Sequence, residues 1–96
     1  MRPSEALRIH RETIRQLILE EGMTNPRVFG SVVRGEDTEE SDLDLLVDPA
    51  PRASLLAMER LQEKIYRQTG VPVDLRTADE MNVRFRSRVL SEAMSL

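Results

Sequence analysis

From Ser4 to Glu21 the apolar residues Leu7, Ile14, Leu17 and Ile18 recur at helical spacing among charged residues. This predicts an amphipathic helix with Ser4 as its N-cap and Gly22 as its stop. Pro26 then leads into Arg27-Val28-Phe29, a short extended run that ends at Gly30-Ser31 and reads as a strand entering a turn. Val32-Val33-Arg34-Gly35 has room for about one helical turn, and Glu36 to Ser41 is wholly polar and reads as a loop. Asp42 to Asp48 alternates as a second strand, bounded by Pro49 and Pro51. From Ser54 to Gln68, Leu55, Met58, Leu61 and Ile65 give helical spacing, and Gly70 stands where a helix end takes a left-handed residue. Val71 to Arg76 reads as a third strand. Thr77-Ala78-Asp79-Glu80 has capping-box spacing, with Met81, Phe85, Val89 and Leu90 behind it as the apolar stripe of a final helix.

Helices alternating with short strands predict an α/β (α+β) fold, a small mixed β-sheet flanked by helices. The short link between the first two strands allows an antiparallel pair, and the helical crossover before the third suggests a parallel one. At 96 residues and 40% hydrophobic content, residues 1–96 are expected to form one domain.

Composition narrows the function. With no cysteine and His10 as the sole histidine, thiol chemistry, disulfides and a histidine-based zinc site are set aside. A net charge of −3 and only three aromatic residues, Phe29, Tyr66 and Phe85, argue against direct nucleic-acid binding. No apolar run approaches the roughly 20 residues of a spanning helix, and the N-terminus does not resemble a signal peptide. A cytoplasmic protein without a membrane partner is expected.

Chemistry gathers at three places. Asp42 and Asp44, two apart on a strand, leave one face about 6.6–6.8 Å apart, with Leu43, Leu45 and Val47 opposite. Asp74 stands on the corresponding face of the third strand, and an adjacent strand lies about 4.8 Å away. Alone, an Asp-x-Asp is the ordinary solvated face of a sheet. Asp is depleted in strands, however, and here two strands carry it at facing positions behind a small Gly-Ser turn. Three carboxylates so close repel one another, and a hard, oxygen-seeking cation such as Mg²⁺ removes the conflict. Gly30 lets the backbone approach a ligand, and Ser31 adds a hydroxyl. Arg34, one turn later, suits either a phosphate or open solvent.

Gly30-Ser31, then ten residues, then Asp42-Leu43-Asp44 resembles the signature of the DNA polymerase β-like nucleotidyltransferases. Within that superfamily, the stretches Phe29 to Gly35 and Ser41 to Val47 resemble the minimal nucleotidyltransferase (MNT) antitoxins paired with HEPN toxins. The resemblance implies that Gly30 and Ser31 hold a triphosphate, that Asp42 and Asp44 coordinate two Mg²⁺ ions, and that Asp74 is the third carboxylate. Arg34 matches a common arginine of the Gly-Ser segment. The implied reaction transfers AMP from ATP to a tyrosine of a cognate HEPN RNase toxin, releasing pyrophosphate, within a hetero-oligomer of the two proteins. Two rivals remain: an antitoxin that only masks the toxin, and a transferase for a small alcohol. The toxin role itself does not fit, because Arg8-Ile9-His10 lacks the HEPN Arg-x4-6-His spacing. Met81 and Met94 are candidates for partner contact, although apolar residues at helical spacing are more often core.

Overall fold

The computed structural model describes residues 1–51 and 54–96. Its elements are α1 (Pro3–Glu20), β1 (Thr24–Phe29), α2 (Ser31–Arg34), β2 (Leu43–Asp48), α3 (Leu55–Thr69), β3 (Val73–Arg76), a 3-10 turn (Ala78–Glu80), α4 (Val83–Glu92) and β4 (Met94–Ser95). The sheet runs β3-β2-β1-β4, with β1 antiparallel to both neighbours and β2 parallel to β3 across the α3 crossover. The expected mixed sheet and helices are present. No described helix is long and apolar enough to cross a membrane.

The two faces of the sheet do different work. Leu43, Leu45 and Val47 of β2, with Val73 and Leu75 of β3, pack against Ile14 and Ile18 of α1 and Leu61 and Ile65 of α3, forming the larger core. On the other face Phe29 and Leu46 meet Met81 and Val89, with Phe85 and Ala93 at the margin. Strand alternation sends successive side chains to opposite faces, so one strand serves both layers. Burying each of these large aliphatic side chains is worth about 1.5–3 kcal/mol.

Several boundaries differ from the sequence reading for local reasons. Helix α1 starts two residues earlier than expected, with Pro3 in its first turn and Arg2, not Ser4, at the N-cap position. The Ser4 N–H instead donates to Asp37 Oδ2 at 2.8 Å, from a loop 33 residues away. Strand β1 begins at Thr24 and passes through Pro26, because Asn25 takes φ 52° and the register shifts between Thr24 and Arg27. The Thr77–Glu80 capping box forms, yet it closes only a 3-10 turn, since buried Met81 is extended; Asn82 then caps α4 by accepting from the Phe85 N–H at 2.9 Å. Ser54 and left-handed Gly70 bound α3 as expected, but Leu55 is 76% exposed and lies outside the core. The chain does not end in a helix. Ala93 turns extended, Met94–Ser95 pairs with β1, and the Leu96 N–H donates to the Pro26 carbonyl at 3.1 Å. Met94 is consequently exposed on a sheet edge, and Met81 belongs to the core.

Asp37 supplies a stability prediction. Burial opposes its ionisation, but hydrogen bonding from Ser4 outweighs that, and its carboxyl lies below the ordinary value of 3.8. A depressed folded value means that the ionised group stabilises the fold above the normal carboxylate range and ceases to do so as pH falls through it. Asp37→Ala is expected to cost about 1 kcal/mol at pH 7, the scale of a lost helix cap. In urea titrations the difference from the parent should shrink toward pH 3; a difference independent of pH would rule out the charged cap.

Candidate functional site

Strand β2 is central, and its register decides what faces what. Asp44 is paired with Phe29 of β1 on one side and with Asp74 of β3 on the other. Cross-strand partners share a face, so the two carboxylates sit side by side on the face opposite the α1/α3 core. Both are partly buried. Asp42 lies just before β2 begins at Leu43 and is exposed, so the strand is one residue shorter than the sequence suggested. It remains close enough for its charge to act on Asp44.

Gly30 joins β1 to α2 at φ 78°, ψ −148°, a conformation essentially confined to glycine. A Cβ built there would overlap the Asp44 carboxylate, with Asp44 Cγ at only 3.0 Å. The glycine is therefore the floor on which this carboxylate rests, in addition to being the first residue of the Gly-Ser turn. Ser31 opens α2, partly buried, and its carbonyl accepts from the Glu36 N–H at 2.9 Å, closing the turn.

The electrostatics follow from this packing. Burial, then the nearby charges of Asp74 and Asp42, raise the Asp44 carboxyl from 3.8 to about 6, while Arg76 and Arg34 partly offset them. Asp74 is held by Arg76, whose Nε donates to both carboxylate oxygens at 3.1 and 3.2 Å. Arg34 is exposed and engaged elsewhere: its Nε donates to Glu36 at 2.7 Å and its Nη1 to both oxygens of Glu92 at 3.0 and 3.1 Å. Among the described residues no three His, Cys, Asp or Glu side chains converge as a ready-made metal cluster. The donors nearest to that role are Asp42, Asp44 and Asp74. All three offer oxygen donors, and a hard cation would relieve both the burial and the like-charge repulsion that raise Asp44.

Two residues of the neighbourhood, Arg76 and Glu92, and a second contact of Phe85 escaped the sequence reading. Arg76 shares Asp74's face by strand period, a signal that was present in Val73-Asp74-Leu75-Arg76. Phe85, placed in the apolar stripe, also lies 5.7 Å from Arg76 Cζ and 5.6 Å from Arg88 Cζ, measured to the ring centroid. Glu92 reaches Arg34 from the end of α4, 58 residues along the chain, and no local pattern announces it.

Comparison with known proteins gives a consistent result. Residues 7–96 match the family model described as a nucleotidyltransferase domain. The protein adenylyltransferase MntA of Thermococcus cleftensis is 35% identical over 88 residues, covering 92% of this chain and 86% of the relative. A solved structure of a candidate minimal nucleotidyltransferase is 42% identical, with a TM-score of 0.87 over 97% of this chain and 95% of that one. A complex of a tri-AMPylated Shewanella oneidensis HEPN toxin with an MNT antitoxin contributes a chain that shares the fold at 18% identity, with a TM-score of 0.70 over 92% of this chain and 69% of that one.

The carboxylate packing yields two predictions. Because the folded Asp44 carboxyl titrates near 6 and the unfolded one near 3.8, the unfolded state ionises first, and stability falls as pH rises through that window. Without added divalent cation, Asp44→Asn should be more stable than the parent at pH 7 by about 1–2 kcal/mol, less than the full shift implies because the carboxyl keeps partial solvent access. Equal stabilities at pH 7 in denaturant titrations would contradict this. Gly30→Ala should lose about 1–3 kcal/mol from backbone strain, and an unchanged melting midpoint would show that the loop can reshape around a methyl group.

Proposed function

Because this chain belongs to the nucleotidyltransferase domain family, we propose that it is an antitoxin that transfers AMP from ATP to a hydroxyl, a tyrosine, of a cognate HEPN RNase toxin. The observation that carries the reading is the facing pair Asp44 and Asp74, with Asp44 set over a glycine that leaves no room for a side chain. A protein acceptor is supported by the adenylyltransferase relative, and the AMPylated toxin complex of the same fold names a class of acceptor.

In the proposed reaction the acceptor oxygen forms a bond to the α-phosphorus, and the bond from that phosphorus to the bridging oxygen breaks. Pyrophosphate leaves and AMP stays on the acceptor. Gly30 and Ser31 receive the triphosphate, the glycine by allowing close backbone approach and Ser31 by its hydroxyl. Arg34 reaches the phosphates by exchanging its Glu92 and Glu36 partners for phosphate oxygens, charge-assisted bonds of the same kind. Mg²⁺, expected as two ions, would be held by Asp42, Asp44 and Asp74 and supplies neutralisation of the phosphates and of the charge that develops on the entering and leaving oxygens. Asp74 accepts the hydroxyl proton as the acceptor attacks, and Asp44, resting on Gly30, would hold the cation at a fixed place beside it.

The test combines this protein, Mg²⁺ and ATP labelled at the α-phosphate with the product of the neighbouring gene. Label should appear on the partner's tyrosine. An Asp42→Asn/Asp44→Asn variant should reduce transfer by about a hundredfold or more, the scale seen when charge-stabilising groups are removed from a reacting centre. Tight binding and neutralisation without any transferred label would instead make the protein a masking antitoxin.

A further inference from the structure

Arg76 has no part in the transfer just outlined, yet it bonds directly to one of the facing carboxylates. It stands two residues after Asp74 on β3 and therefore on the same face, and its Nε spans both Asp74 oxygens at 3.1 and 3.2 Å. Its guanidinium lies over the ring of Phe85, 5.7 Å from the centroid. Phe85 is itself fixed, packed at the edge of the Phe29, Leu46, Met81 and Val89 cluster, with its N–H bound by the Asn82 cap of α4. Although the Arg76 side chain is 40% exposed, it is held between a carboxylate and an aromatic ring, and both contacts favour a cation.

We propose that Arg76 is the built-in counter-cation of this site, a positioning residue that occupies both oxygens of Asp74 and competes with a divalent cation for that carboxylate. The inference rests on the metal-dependent reading above and deepens it. A side chain anchored on the same strand neutralises Asp74 at little entropic cost and eases the crowding of the carboxylates. A cation that draws on Asp74 must share that carboxylate with the Arg76 guanidinium, whose positive charge lies against both oxygens. The affinity of the site for a divalent cation is thus set by competition between two positive charges.

The test uses the full chain and Mn²⁺ alone as probe, with free Mn²⁺ read by electron paramagnetic resonance. Arg76→Gln should bind Mn²⁺ roughly three- to tenfold more tightly than the parent, the expected scale for removing one positive charge several ångströms from a divalent ion at moderate ionic strength. Arg76→Lys, which keeps the charge, should stay within about twofold of the parent. Adding Asp74→Asn should weaken binding and abolish the difference made by Arg76→Gln. A merely structural role for Arg76 predicts the opposite sign, since loosening Asp74 would lower affinity; unchanged or weaker Mn²⁺ binding by a folded Arg76→Gln overturns the proposal. Arg76→Met, which retains an unbranched chain over Phe85, provides a second neutral variant should the first fail to fold. A parent that binds no Mn²⁺ overturns both this inference and the assigned metal donors. The expected Mn²⁺ pattern without AMP transfer to a partner supports the role of Arg76 and rejects the transfer reading alone.

Discussion

Contact between Gly30 and the Asp44 carboxylate is the constraint around which the rest of the molecule is arranged. For Asp44 to lie there, β2 must be central, must pair with β1 in the register that sets Phe29 beside Asp44, and must present its apolar alternates to α1 and α3. A register slip of one residue would reverse every side chain of β2, sending Asp44 into the larger core and Leu45 to the site. The alternation of Leu43, Leu45 and Val47 therefore guards the placement of the carboxylate as effectively as any residue that touches it.

This placement works against stability. A partly buried acid beside two other acids is held in an environment that disfavours its charge, and the hydrophobic layers on both faces must offset it. Fixed cations are distributed around the rim, with Arg76 on Asp74 and Arg34 between Glu36 and Glu92. Each is held by an acidic partner of its own. These arginines offset the acids only in part, since Asp44 stays raised by burial and by the charges of Asp74 and Asp42.

Much of this was legible because it is local. Helical spacing marked α1 and α3, Ser54 and Gly70 marked the ends of α3, and period two marked the faces of β2 and β3. The features that escaped depend on tertiary contacts or on segments too short to carry a period. Two residues cannot show alternation, so β4 was hidden in what read as the end of a helix. The cap of α1 comes from Asp37, which no window around Ser4 contains. A correct capping box at Thr77 closed a single turn because burial of Met81 prevailed over local propensity. The steric role of Gly30 required knowing that Asp44 lies against it.

The parallel pairing of β2 with β3 also gives the site a place in time. The Gly-Ser turn, Asp42 and Asp44 belong to a hairpin-like unit that can assemble early, whereas Asp74 arrives only after the fifteen residues of α3 have crossed the sheet. Non-local pairings of this kind form late, because loop closure must precede their contacts. A chain in which only β1 and β2 are paired therefore carries the Gly-Ser turn, Asp42 and Asp44 without the facing Asp74.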